Sequence, residues 1–191
     1  MKAPYFPVET ETWLADIRYL EPSRDGISYG PFQIHYRNVH HPGVTYGYRI
    51  VYRGKSIVYV SDNEFLFLGK SIDRRQTEFD AEEQRLLRQI EIEERIVELD
   101  AIRDADILIH DAQYSPHDYQ KKRGWGHSCY VDTIHCAIDA GVKELYLFHH
   151  DPGYNDEAVR AIYAHCQEII RERGAALQCH IAVEGLVVNL D

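Results

Sequence analysis

No run of 18 apolar residues occurs in the 191-residue sequence, so no part of it reads as a membrane-spanning helix. The opening stretch, Met1-Lys2-Ala3-Pro4-Tyr5-Phe6-Pro7, lacks the apolar centre of a secretory leader. Paired cysteines are missing as well: Cys129, Cys136, Cys166 and Cys179 show neither C-x-x-C nor zinc-ribbon spacing. Cys129 and Cys136 fall too far apart on one expected helix to bridge each other. Four reduced thiols, most of them in the core, are expected, and with them a cytoplasmic protein off the membrane. Positive charge is scarce, with 21 Lys and Arg against 31 Asp and Glu and a net charge of −10. A pI near 5.5 excludes the broad basic surface that grips phosphate backbones regardless of sequence, so strong nucleic-acid binding is not expected. Lys121-Lys122-Arg123 is the one cationic run that stands out, and it reads as a solvated loop.

What is present is ordinary for a globular domain: 45% hydrophobic and 27% charged residues. No repeat, low-complexity tract or linker divides the chain, so residues 1–191 read as a single domain. Residues 1–11 form an irregular lead-in, and 12–20 are weakly amphipathic. Strands are expected at 32–37, 46–52 and 56–60, the last two joined by Arg53-Gly54 as a hairpin. Alternation of Tyr48, Ile50 and Tyr52 marks a half-exposed sheet, whereas the continuous Ile57-Val58-Tyr59-Val60 reads as buried. Residues 66–77 read as a loop over one edge of the site. Asp80-Ala81-Glu82-Glu83 resembles a capping box and opens a charged helix to about residue 105. In that helix Leu86, Leu87, Ile90, Ile96, Val97 and Leu99 are the expected apolar stripe, with the Glu/Arg-rich remainder facing solvent. A strand at 107–109, a helix from about 129 to 140 stopped by Gly141 and a strand at 144–148 follow. A helix capped by Asn155 or Asp156 comes next, then strands at 177–183 and 186–189.

Histidine and carboxylate recur where β segments end: His41, Asp62 in Ser61-Asp62-Asn63-Glu64, and His149 in Leu147-Phe148-His149-His150-Asp151-Pro152. The carboxyl edge of a sheet is where side chains from separate strands converge on a ligand. Neutral imidazole and carboxylate together bind zinc, iron or manganese, and a carboxylate can bridge two ions. A lone histidine is more often a satisfied polar residue than a ligand; the shared strand-end position is what singles these three out.

His41-Pro42-Gly43 running into Gly47-Tyr48-Arg49-Ile50, Ser61-Asp62-Asn63-Glu64, Ile107-Leu108-Ile109-His110-Asp111-Ala112-Gln113-Tyr114, Gly126-His127-Ser128 and Phe148-His149-His150-Asp151-Pro152 together resemble the later motifs of metallo-β-lactamase-fold hydrolases. The ribonuclease Z-like and phosphodiesterase-like branch is the most similar. The resemblance implies an α/β fold, an αββα sandwich, and hydrolysis of a phosphodiester or related ester, with a small-molecule or phosphodiester substrate. It implies a divalent metal, zinc foremost and manganese or iron as alternatives. His41 would be a ligand of the first ion, Asp62 the bridging carboxylate and His149 a ligand of the second. His127, oriented by Asp111, would contact the scissile phosphate or protonate the leaving group. The same carboxylate would favour the protonated imidazole.

The family signature H-x-H-x-D-H, which supplies most remaining ligands, is nowhere in the sequence. The resemblance therefore implies a domain truncated at its N-terminal side, with under-held ions and weak or no activity. It also implies an uncovered apolar face, and hence a homo-oligomer or a partner covering the missing half. The rival expectation is a non-catalytic dimerising scaffold of the same fold, and a third is that ligands arrive from another chain.

Overall fold

The computed structural model describes residues 26–73 and 79–190; the expected features at residues 1–20 lie outside them. Seven strands form one sheet in simple chain order. They are β1 (Ile27–Tyr29), β2 (Phe32–Asn38), β3 (Tyr46–Tyr52), β4 (Lys55–Val60), β5 (Ile107–Asp111), β6 (Glu144–Phe148) and β7 (Gln178–Ile181). The first four pair antiparallel, and β4 to β7 run parallel. The β3–β4 hairpin turns on Arg53 and Gly54 alone, with φ of 48° and 79°. Left-handed values at both central residues are what a tight turn needs to follow the sheet's twist.

Helices α1 (Phe67–Asp73), α2 (Ala81–Ile102), α3 (Pro116–Lys122), α4 (Tyr130–Asp139) and α5 (Asp156–Glu172) complete the fold. The capping box opening α2 is present in full: the Asp80 carboxylate accepts from the Glu82 and Glu83 amides, and Glu83 accepts from the Asp80 amide. Asn155 caps α5 by accepting from the Ala158 amide, and Gly141 follows α4 with φ of 70°.

One face of the sheet carries the core. Val58, Val60, Leu108, Leu145 and Leu147 pack there against Ile102 of α2, Ile134 and Ala137 of α4, and Ile162 and Cys166 of α5. All four cysteines are free and buried. On the opposite face the registered residues Tyr48, Tyr59 and Ile109 are only partly covered, with Tyr48 40% exposed. The described residues thus supply one β layer and one α layer of the expected sandwich.

Several expectations change. The run from Ile57 to Val60 alternates between half-buried and buried instead of being buried throughout, because helices cover one face only. The expected loop at 66–77 contains α1, α3 was not anticipated, and no strand forms at 186–189. The largest change is in α2, where Glu94, Glu98 and Ile102 are the buried residues. Leu86, Ile96 and Val97 stay more than half exposed, at 63%, 57% and 55%. Glu94 and Glu98 turn inward because the backbone amides of Leu66, Leu68 and Gly69, where α1 begins, need acceptors. The cations at 121–123 are the end of α3 and the turn after it, not a free loop. Lys122 pairs with Asp151 at 2.5 Å, and Arg123 donates to the Lys70 carbonyl at 3.0 Å.

Candidate active site

Because β4, β5 and β6 are parallel, their carboxyl ends open on the same edge of the sheet. Asp62 follows β4, Asp111 ends β5 and His149 follows β6. The turn 124–128 brings His127 between them. A ligand atom from each of Asp62, Asp111, His127 and His149 lies within 4.8 Å of the others.

Asp111 is fully buried and holds the centre. Its carboxylate accepts from His127 Nδ1 at 2.6 Å, from the Asn63 and Gln113 amides at 3.2 and 3.0 Å, and from the Ser128 amide at 3.4 Å. Burial pushes the Asp111 carboxyl up, and these donors only partly offset it. Burial also works against a proton on His127. The hydrogen bond and charge of Asp111 outweigh that, so the imidazole sits above its ordinary range. The carboxylate fixes the proton on Nδ1 and leaves Nε2 for other chemistry.

His110, one residue earlier, is a contrast. Its Nδ1 donates to the Asp111 carbonyl at 2.7 Å, its Nε2 accepts from the Asn63 side-chain amide at 3.3 Å, and its ring stacks on Phe65 at 4.1 Å. Complete burial lowers its pKa to about 4, so it is a neutral structural residue.

Glu64 builds the turn that carries His127. Only 1% exposed, it accepts from the Tyr119 hydroxyl at 2.7 Å and from the Gly124 and Gly126 amides at 3.0 Å each. Gly126 has φ of 89°, and a Cβ there would come within 2.4 Å of the His41 ring. Glycine is therefore required where the turn meets His41. The Ser128 hydroxyl closes the knot, donating to the Asn63 carbonyl at 2.6 Å and accepting from the Phe65 amide at 3.1 Å.

Of the three residues expected to hold metal, Asp62 and His149 meet directly, with Asp62 Oδ1 3.2 Å from His149 Nε2. His149 stacks on His127 with ring centroids 4.7 Å apart. His41 meets His127 edge to face, 5.4 Å between ring centroids, and is not in the group of four. Its Nδ1 accepts from the Gly43 amide at 3.2 Å, which places the ring proton on Nε2. Binding an ion through Nε2 requires that contact to be given up.

The donor set fits a divalent ion at Asp62 and His149. His149 Nε2 faces Asp62, so an ion held by both would take the Nε2 lone pair and leave the ring proton on the buried Nδ1, which has no hydrogen-bond partner among the described residues. Asp111 is committed to His127 and backbone amides. Glu64, Asn63 and Ser128 were not anticipated as parts of the site. The acid directly after Asp62-Asn63 at a strand end was the one available signal for Glu64.

Sequence similarity is confined to short stretches. The chain is 42% identical over 59 residues to ribonuclease Z of Brevibacillus brevis, a match covering 31% of this chain and 19% of that protein. It is 40% identical over 58 residues to ribonuclease Z of Sulfurisphaera tokodaii, covering 30% and 19%. No family model matches. Among solved structures, the metallo-β-lactamase fold protein YhfI from Bacillus subtilis superposes with a TM-score of 0.57 at 19% identity, over 87% of this chain and 53% of that one. This is a metallo-β-lactamase fold. The short form of human tRNase Z, with a TM-score of 0.52 at 15% identity, matches 86% of this chain and 46% of its own. The chain thus spans about half of these metallo-β-lactamase-fold structures, and the curated matches cover about a fifth of each relative.

Proposed function

We propose that this chain carries part of the active site of a metal-dependent hydrolase of phosphodiester or related ester bonds. The carrying observation is the buried Asp111 pairing at 2.6 Å with His127, whose ring stacks on the His149 that meets Asp62. In this reading Asp111 holds the His127 proton at Nδ1. His127 Nε2 contacts the scissile phosphate or donates a proton to the leaving oxygen, and Glu64 keeps the imidazole in place. His41 and Asp62 would hold one divalent ion and His149 and Asp62 a second, with zinc foremost for imidazole and carboxylate donors and manganese or iron as alternatives. When bound, the metal supplies Lewis-acid polarisation and lowers the pKa of water.

The similarity to proteins named ribonuclease Z supports a phosphodiester substrate. The sequence holds no H-x-H-x-D-H, so the strand-end residues offer each ion two ligands where a catalytic zinc usually has three. Hydrolysis by this chain alone is therefore weak or absent. The four buried free cysteines support a cytoplasmic setting, and no helix among the described residues is long and apolar enough to cross a membrane.

Metal content and turnover test this together. Zinc bound by the native chain and lost in part in the triple variant H41Q/D62N/H149Q, with a rate towards bis(p-nitrophenyl) phosphate close to the blank, is expected. Chelator-sensitive turnover by the 191-residue chain alone would overturn the incompleteness. Absence of both metal and turnover would favour the scaffold. One observation favours that second reading: the partly covered sheet face presents Phe32, Tyr46 and Tyr48 at 37%, 37% and 40% exposure, a surface suited to self-association or to a partner's sheet.

A further inference from the structure

On the other side of His41, a second group of metal-ligating side chains converges from separate parts of the chain. Glu94 and Glu98 stand one helical turn apart on α2 and are buried, with side-chain exposures of 2% and 4%. His40, from the loop after β2, points its Nε2 at both, 3.2 Å from Glu94 Oε1 and 3.9 Å from Glu98 Oε1. The outer oxygens are tied down by backbone: Glu94 Oε2 accepts from the Gly69 amide at 3.0 Å and Glu98 Oε2 from the Leu66 amide at 2.9 Å.

Supporting the start of α1 accounts for Glu94, whose Oε1 also accepts from the Leu68 amide. It does not account for the inner oxygen of Glu98. That atom is buried and has no hydrogen-bond partner among the described residues. At 3.9 Å it is beyond hydrogen-bond reach of His40, and a single imidazole proton cannot serve two carboxylates at once. An unsatisfied, buried carboxylate oxygen beside an imidazole and a second carboxylate is a position that a bound cation would satisfy.

We propose that His40, Glu94 and Glu98 form a second metal site, selective for a divalent transition-metal ion of the zinc type and separate from the ion held by Asp62 and His149. Bonds of about 2.0–2.2 Å place neighbouring tetrahedral ligands roughly 3.3–3.5 Å apart. The observed 3.2 and 3.9 Å bracket that spacing, so side-chain adjustments of a few tenths of an ångström close the site. One nitrogen and two carboxylate oxygens suit zinc, manganese or iron and give a neutral centre. The amides on the outer oxygens are the second layer of hydrogen bonds that orients metal-binding carboxylates. Access comes past His40, whose side chain is 37% exposed. It borders a cavity of about 400 Å3 shared with Glu98 and another of about 270 Å3 shared with Glu64 and Phe67.

The test removes the strand-end ligands first. The triple variant H41Q/D62N/H149Q of the full chain, stripped with chelator, is titrated with Co2+ and followed by visible absorption and equilibrium dialysis. One Co2+ per chain is expected to remain. Adding E98Q or, separately, H40Q is expected to weaken it on the order of 100-fold, with far-UV circular dichroism unchanged. A triple variant that binds no Co2+, or that keeps full affinity after E98Q, overturns the proposal. X-ray absorption on the cobalt-loaded triple variant needs no change at the new site: a nitrogen and oxygen shell with one imidazole is expected, and a shell without imidazole overturns it. Because the strand-end ligands are absent from every arm, failure here leaves the hydrolase reading untouched.

Discussion

Two regions of this molecule bury a carboxylate beside a histidine, and they treat it in opposite ways. Asp111, at the strand-end edge, accepts from His127 and from the amides of Asn63, Gln113 and Ser128. Glu98, under α2, accepts from the Leu66 amide alone and keeps one oxygen unpartnered among the described residues. The first is saturated and serves to fix a proton on its histidine. The second is starved; burial raises both carboxyls, Asp111 against four donors and Glu98, to about 7, against one. The number of donors around a buried charge, more than the fact of burial, decides whether it anchors the fold or waits for a ligand.

The comparison breaks most sharply at Asp111. Asp111→Ala strands the donors that converge on it, and a loss of about 3–5 kcal/mol in urea unfolding at pH 7 is expected. Glu64→Ala comes next. It frees the Tyr119 hydroxyl and the Gly124 and Gly126 amides, for a loss of about 2–3 kcal/mol. Faster amide exchange at residues 124–128 should accompany it.

At Glu98 the expected effect depends on pH. Its folded pKa of about 7 lies above the ordinary 4.5, so the unfolded chain gives up the proton first. Stability then falls as pH rises from about 4.5 to 7. His40, raised chiefly by its hydrogen bond to Glu94, contributes in the same direction, its stabilisation fading as pH rises through its folded pKa. Buried His110 runs the other way. With its folded pKa lowered to about 4 from 6.5, it adds stability as pH rises between those values. Glu98→Gln removes one side of this balance. The variant is expected to gain on the order of 2 kcal/mol at pH 8 in metal-free buffer, and to become steadily more stable between pH 4 and 6.5. No gain at pH 8 would mean that Glu98 is not starved. The smallest effect is read by NMR titration of His127. It should titrate above 6.5 in the native chain and lower in Asp111→Asn, where burial is opposed only by the charges of Asp62 and Glu64.

The strand-end residues were legible in the sequence because a parallel sheet brings the carboxyl ends of consecutive strands to one edge, whatever separates them along the chain. Asp62 and His149 could be placed together on that ground, and Asp111 and His127 by resemblance, while His41, expected with them, lies outside the group of four. The hairpin at Arg53-Gly54 and the cap at Asp80 were legible because each is a local matter of backbone preference. The face of α2 was legible only in part: Leu87, Ile90 and Leu99 are half-buried, Leu99 against the core. Apolar periodicity points Leu86, Ile96 and Val97 inward, but the amides at 66–69 lie against that helix and need carboxylates more than the core needs further methyl groups. Their position is a tertiary fact with no trace in local spacing. The part played by Glu64 was hidden for the same reason, since its partners lie about 60 positions away in the chain.

The described sheet ends in strands of only three and four residues, β1 and β7. Such short rims leave few unpaired backbone groups on which a neighbouring molecule could extend the ladder, and so they resist fibrous growth. If copies associate as the scaffold reading expects, the tyrosine-bearing surface is then the face left for the contact. It should respond to aromatic substitutions at Tyr46 and Tyr48 and be nearly indifferent to proline introduced at Ser28.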